Sequence, residues 1–436
     1  MLEGKGTNTN SFLERGWLKL DNAAKLFPAI AKGDMTSVFR ITATLKRPVN
    51  YSAIKEAVEI TSKRFPYFSV SLGSGLFWHF LEFTDRPPRI QAEEEIPCTA
   101  FAFKRRNEIL YRILVKSNRI SVEFIHILTD GAGALEYLKS LLRTYFGLTG
   151  NTNLPAEGII LPDTPFSDEE VEDGYNKFFR KLPPPEKISK AWHLPYTLNE
   201  KPRLRVLRTE VKTDELLELS HRYKVSITEY FVAVYLFSLQ KIFLAEKDKG
   251  RKQKGKVLRI EVPVNMRKKF PTRTMRNFSL FVMPEIDLRL GIYTFEEVVK
   301  QVHFQMQTGT DIKQISRFLS SNVSYEKLLV VRILPLFIKE MAIAAIYRGL
   351  GSKRVSGIVT NLGAVALPQE MQELVESFEL VPPPPDPEVK VSCAMISHKD
   401  MVRICFNNIS GSNELEKQLL KHLSESGIHV KVLNNN

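Results

Sequence analysis

The stretch FIHILTDGAG, residues 124–133, sets a histidine at the end of an apolar run, an aspartate four residues on, and two glycines around an alanine. Upstream, ILYRILVK (109–116) and RISVEFI (119–125) are joined by Ser117 and Asn118. Arg112, Lys116, Arg119 and Glu123 alternate there with apolar neighbours, which predicts a hairpin. Downstream, Leu135, Leu138, Leu141, Leu142 and Tyr145 recur at helical spacing, and Gly147 closes the segment. His126 is therefore expected at a strand end, beside a turn and a helix start, where an imidazole can face a cleft. With an ordinary pKa of about 6.5 it is suited to take a proton from a hydroxyl or an amine. Asp130, one short turn away, is placed either to orient the imidazole or to hold the loop by pairing with a distant arginine, and Gly131 is expected to allow the tight turn between them. The competing reading makes His126 no more than the last residue of a buried strand.

Outward from this stretch, TSVFRITATLK (36–46) alternates as a half-buried strand, and SAIKEAVEITSKRF (52–65) places Ile54, Ala57, Val58 and Thr61 on one helical face. LFWHFLEF (76–83) follows a GSG turn as a return strand. Residues 150–203, with LPPPEK at 182–187, lose periodicity and are expected to contain the linker. The second half restarts with a strand at 205–212 and a long helix opened by the capping-box pattern Ser226-Ile-Thr-Glu229. Strands are expected near 257–263, 278–283, 356–360, 389–396 and 401–407, helices near 294–308 and 412–426, and a rigid connector at VPPPPDP (381–387). The expected division is an N-terminal lobe at 1–165, an inter-lobe linker at 166–203 and a C-terminal lobe at 204–436.

The chain's 436 residues, 43% hydrophobic and 25% charged, suit two ordinary globular cores. Cys98, Cys393 and Cys405 are odd in number and widely spaced, so neither a disulfide framework nor a metal site is suggested, and a reducing cytoplasm fits best. The polar opening MLEGKGTNTNSFLERG lacks the apolar core of a secretory signal. Leu328–Tyr347 is apolar but interrupted by Arg332, Pro335, Lys339 and Glu340, which reads as a core or surface helix, not a bilayer span. A net charge of +13 favours an anionic partner without choosing one. The basic run EKDKGRKQKGK (246–256) has no aromatic residues to stack on bases, so no nucleic acid is expected. Among the other histidines, His79, His303 and His398 are not followed by Asp-Gly at the same distance, and no HExxH, GxSxG, Walker or dinucleotide fingerprint is present.

Strand-HxxxDG-helix after a hydrophobic hairpin resembles the superfamily that contains condensation domains of peptide synthetases, plant BAHD acyltransferases, alcohol acetyltransferases and chloramphenicol acetyltransferase. WLKLDNAAKLFP (17–28) and KRFPYF (63–68) look like the opening and first helix end of the alcohol acetyltransferase branch. EVPVNMRKKFPTRTMRNFSLFVMP (261–284) and SGIVTNLG (356–363) look like its second-lobe segments. The resemblance implies a mixed α/β (α+β) fold of two chloramphenicol-acetyltransferase-like lobes, each a mixed, mostly antiparallel sheet with helices, and an active-site tunnel between them. It implies that His126 is the general base in acyl transfer from acyl-CoA, or from a carrier-protein thioester, to an alcohol or amine. Asp130 would then be structural and held by a bidentate pair with Arg267. Asn277, Ser279, Thr360 and Asn361, short polar residues in apolar segments, are candidate tunnel-lining donors. No bound cofactor or metal is implied, and a monomer is expected.

Two departures narrow the resemblance. Ile125 stands where condensation domains carry a first histidine, and NLG lies in the region of the plant DFGWG motif. Both argue against peptide synthesis or plant-type metabolism and favour a stand-alone alcohol acyltransferase. Rival readings are a non-catalytic two-lobed binding or scaffold protein, and a peripheral membrane protein that uses residues 328–354, where an apolar helix is followed by Arg348, Lys353 and Arg354.

Overall fold

A computed structural model describes residues 16–433; the polar segment 1–15 weighed against a secretory signal lies outside the described residues. In the first half, the hairpin read at 109–125 forms as Tyr111–Lys116 and Arg119–Ile125, and Val38–Leu45 pairs antiparallel with its second strand. These lie inside a five-stranded sheet ordered Val375–Val381, Val38–Leu45, Arg119–Ile125, Tyr111–Lys116, Arg89–Ala92. The helices Tyr51–Arg64 and Gly131–Leu148 pack on each other, and the latter also packs on Val38–Leu45 and Arg119–Ile125. Phe39, Ile41 and Ala43 on one face of the central strand join the core, while Arg40 and Thr42 on the other bond to Glu123 and Ser121 at 2.8 Å each. A small sheet of Trp17–Lys19, His79–Phe83 and Val70–Ser74 stands beside it.

The second half builds an eight-stranded mixed sheet, ordered Ser279–Val282, Val257–Asn265, Gly357–Ala364, Val391–His398, Met401–Asn408, Arg205–Lys212, Lys431–Leu433, with Glu285–Asp287 also paired to the second of these. Gly357–Ala364 runs parallel to both of its neighbours. The helix Ile227–Asp248 contributes Tyr230–Leu236 to the core beneath this sheet. Its N-terminus carries the capping box read from the sequence: Glu229 N–H donates to Ser226 Oγ at 3.2 Å, and Ser226 N–H to the Glu229 carboxylate at 2.7 Å. It is also long and apolar enough to cross a membrane, but 72% of its most apolar window is buried inside the protein, as befits a core helix.

Two features depart from the simple division of the chain. Val375–Val381, far along the second half, adds to the edge of the first sheet beside Val38–Leu45, and Val365–Val381 contributes to the first core. The lobe begun by residues 1–165 is thus completed by a crossover strand, because the exposed edge of Val38–Leu45 needs a partner for its backbone groups. The segment 166–203, read as the inter-lobe linker, packs on both cores. Glu170 accepts two bonds from Arg64, at 2.9 and 2.8 Å, and one from Tyr67 at 2.5 Å, and Trp192 and Leu194 are buried in the second core.

Leu328–Tyr347 forms two surface helices, Leu329–Ile333 and Leu336–Ile346, broken at Pro335, where proline cannot continue the first. The three cysteines are buried and unpaired.

Candidate active site

His126 follows the last residue of Arg119–Ile125, and its backbone N–H makes one further bond, to Ser37 O at 3.0 Å. Its ring is half-buried between Phe27, stacked at 5.1 Å between centroids, and Phe39, at 4.6 Å. Burial pushes its pKa below the ordinary 6.5, only partly opposed by the Asp130 carboxylate. The imidazole is therefore neutral near pH 7 and able to accept a proton.

Asp130 caps the helix Gly131–Leu148, with its Oδ1 accepting from Gly133 N–H at 3.2 Å. Its Oδ2 accepts from Arg267 Nη1 and from Phe278 N–H, each at 2.9 Å. Burial alone would raise this carboxyl's pKa, but the Arg267 guanidinium and the two backbone donors outweigh it and hold it below the usual range. The pair with Arg267 is monodentate and not the two-pronged one expected. The other guanidinium nitrogens are taken by backbone carbonyls, Nε by Thr274 O at 2.7 Å and Nη2 by Arg276 O. Arg267 thus braces its own loop, 272–276, as well as Asp130.

The second lobe grips the turn at further points. Thr129 Oγ1 donates to Met275 O, and Asn277 Nδ2 donates to His126 O at 2.9 Å. Asn277 also donates to Asp21 Oδ2 at 3.2 Å. This corrects one expectation: with its amide donors directed at His126 O and Asp21, Asn277 positions the histidine backbone and is not a tunnel donor. Asn361 is engaged too, donating to Thr228 Oγ1 at 3.0 Å and accepting from Gly363 N–H at 2.9 Å. Ser279 and Thr360 remain as candidate donors. Both are half-buried, and Thr360 lies on the strand face opposite the core residue Val359.

The glycines divide differently from their sequence reading. Gly131 has no positive φ and begins the helix, where a Cβ would meet Leu362 Cδ1 at 3.3 Å. The stricter position is Gly133, whose Cβ would stand 2.2 Å from Thr129 Oγ1 and 2.4 Å from Met275 O. The second glycine is there because the second lobe's backbone lies against it.

Asp21 escaped the sequence reading, although it lies inside the quoted WLKLDNAAKLFP. It is fully buried, accepts from Ala24 N–H at 2.8 Å, and has its carboxyl pushed up to about 6 by burial. The Arg276 guanidinium, its Nε 3.7 Å from Asp21, is the main opposing influence, but its Nη1 and Nη2 bond to Val171 O and Lys19 O and burial prevails. Phe27 and Phe39 gave no sequence signal beyond apolarity. Elsewhere His79 bonds to Glu340 at 2.9 Å, His303 to Glu229 at 3.2 Å, and His398 is buried against Phe378.

A cavity of about 470 Å³ opens between the lobes against the first turn of Gly131–Leu148, lined by Ala132, Gly133 and Glu136 on one side and Arg267, Arg273 and Met275 on the other.

No protein-family model and no curated protein sequence matches the chain. Solved structures do. TRI101 of F. graminearum, complexed with coenzyme A and T-2 mycotoxin, is 10% identical with a TM-score of 0.64, over 96% of this chain and 100% of that one. The trichothecene 15-O-acetyltransferase TRI3 of Fusarium sporotrichioides is 10% identical with a TM-score of 0.60, over 94% of both chains. The epimerization domain of tyrocidine synthetase B is 12% identical with a TM-score of 0.59, over 94% and 95%. The chain has the two-lobed, chloramphenicol-acetyltransferase-like fold that these acetyltransferases and synthetase domains share.

Proposed function

We propose that this protein transfers an acyl group from a thioester donor, acyl-CoA, to an alcohol or amine acceptor, with His126 as the general base. The observation that carries this reading is a half-buried imidazole packed between Phe27 and Phe39, on a turn that Asp130, Arg267 and Asn277 hold at the junction of the lobes. In the reaction, a ring nitrogen of His126 takes the acceptor's proton as its oxygen or nitrogen attacks the thioester carbonyl carbon. The tetrahedral intermediate then expels the thiolate as the C–S bond breaks, and the imidazolium returns the proton to sulfur. Ser279 and Thr360 are the remaining candidates to donate to the developing oxyanion. Coenzyme A complexes of the similar TRI101 proteins support acyl-CoA as the donor class.

The test is thiol release from a panel of acyl-CoAs with alcohols and amines. Acceptor-dependent release by the wild type, and its loss in His126→Ala at an unchanged unfolding temperature, are expected. Full turnover by a well-folded His126→Ala protein would overturn the assignment.

A further inference from the structure

The helices Leu329–Ile333 and Leu336–Ile346 are packed with inverted polarity. Lys339 is buried, with its Nζ donating to Phe77 O at 2.8 Å and lying 3.6 Å from the Trp78 ring centroid. Leu329, Val330, Ile333, Phe337 and Met341, by contrast, each expose 61–71% of their surface. Leu76, which is 71% exposed, extends the same face, since its carbonyl accepts from Leu336 N–H at 2.9 Å. Exposed apolar residues scattered singly need no explanation, but six large ones gathered on two successive short helices and the turn hydrogen-bonded to them mark an interaction surface.

The charge around the face is one-sided. Residues 325–354 contain six basic and two acidic residues. Both acids are already answered, Glu326 by Lys25 and Glu340 by His79 at 2.9 Å and Lys104 at 3.5 Å. Lys327, Arg332 and Arg348 remain exposed. A second copy of a chain with net charge +13 would bring like charge to this rim, whereas an anionic lipid surface complements both the apolar face and the cations around it. The position is also distinctive: Leu336–Ile346 packs on Phe27–Ile30, whose Phe27 ring is stacked on His126.

We propose that this face, built by the two helices and the Leu76 turn, docks on an anionic lipid bilayer, inserting its apolar side chains among the acyl chains with the basic residues at the headgroups. The docking stands on the exposed side chains and not on the acyl-transfer reading, and its assay requires no turnover.

The test is flotation of the full chain with vesicles of phosphatidylcholine alone or with about 30 mol% phosphatidylglycerol. Binding at least about tenfold tighter to the anionic vesicles is expected. Leu329→Asp/Phe337→Asp should weaken it by about tenfold or more at an unchanged unfolding temperature, and Arg332→Glu/Arg348→Glu should remove its salt sensitivity. Failure of the wild type to float, or equal flotation of both double variants and the wild type, overturns the proposal. A stable dimer that Leu329→Asp/Phe337→Asp dissociates would overturn it in favour of a second copy. Flotation that appears only when residues 1–15 are removed would assign the face to that segment instead.

Discussion

The turn at His126–Gly133 and the helices at 329–346 are neighbours through Phe27, yet they are built on opposite rules. In the turn, polar groups are drawn inward and tied: Thr129, Asp130 and the His126 carbonyl each bond to the second lobe. In the helices, large apolar groups are turned outward, and a lysine takes the buried position. The contrast separates two kinds of cost. Buried polar groups are tolerable only when nearly every one is paired, which makes the turn rigid and intolerant of change. Exposed apolar groups cost little in the folded monomer, so the outer face is free to vary unless something docks there.

Substitutions should break this contrast in a definite order. The largest effect is expected on turnover: His126→Ala should lower kcat/KM for acyl transfer by roughly 10²–10⁴-fold, the range typical of a lost general base, as read by thiol release. Next comes the clamp. Asp130→Ala removes the carboxylate that pairs with the half-buried Arg267 guanidinium and accepts from Phe278 N–H, and should cost about 3 kcal/mol in denaturant unfolding. Arg267→Ala should cost a similar amount, and the double variant less than the sum, since the two share one interaction. Gly133→Ala drives a methyl into Thr129 Oγ1 and Met275 O and should cost about 1–3 kcal/mol, whereas Gly131→Ala, facing only Leu362 Cδ1, should cost less.

Smaller, but diagnostic, is the pH dependence. Because the folded pKa of His126 lies below 6.5, activity that needs the neutral ring should hold through neutral pH and fall only on acidification, with an apparent pKa below 6.5. The clamp's linkage has the same direction. Asp130's folded pKa is depressed, so its contribution to stability is present above the unfolded value of 3.8 and lost as pH falls through the folded pKa. Asp130→Asn should therefore flatten the acid limb of the stability–pH curve. The smallest effect is on the outer face, where Leu329→Asp should change stability by no more than about 0.5 kcal/mol. A large loss there would mean that the face is covered in the free protein.

Much of this was legible in the chain itself, since it is carried by local periodicity and capping chemistry. The hairpin before His126, the helix after Asp130, the capping box at Ser226 and the longer strands of the second sheet follow from side-chain pattern or from short hydrogen bonds between near neighbours, whereas its short strands Glu285–Asp287 and Lys431–Leu433 do not. Thr213–Arg222, Ile312–Lys327 and Val375–Val381 were not foreseen. The last is a strand only because Val38–Leu45 presents an open edge, and it sits before a proline run that reads as connector.

The candidate site divides in the same way. His126, Asp130 and Arg267 stand out as residue types in a recognisable arrangement. The roles of Asn277, Gly133 and Asp21, and the single-pronged form of the Asp130–Arg267 pair, depend on which backbone groups the second lobe brings within about 3 Å, a matter of long-range register that no local pattern encodes. By itself the sequence determined the elements and the histidine, because both are written in near-neighbour chemistry. Only the tertiary structure decided which polar residues hold the turn and which apolar ones face outward, because burial is a property of the assembled surface and not of any one stretch of chain.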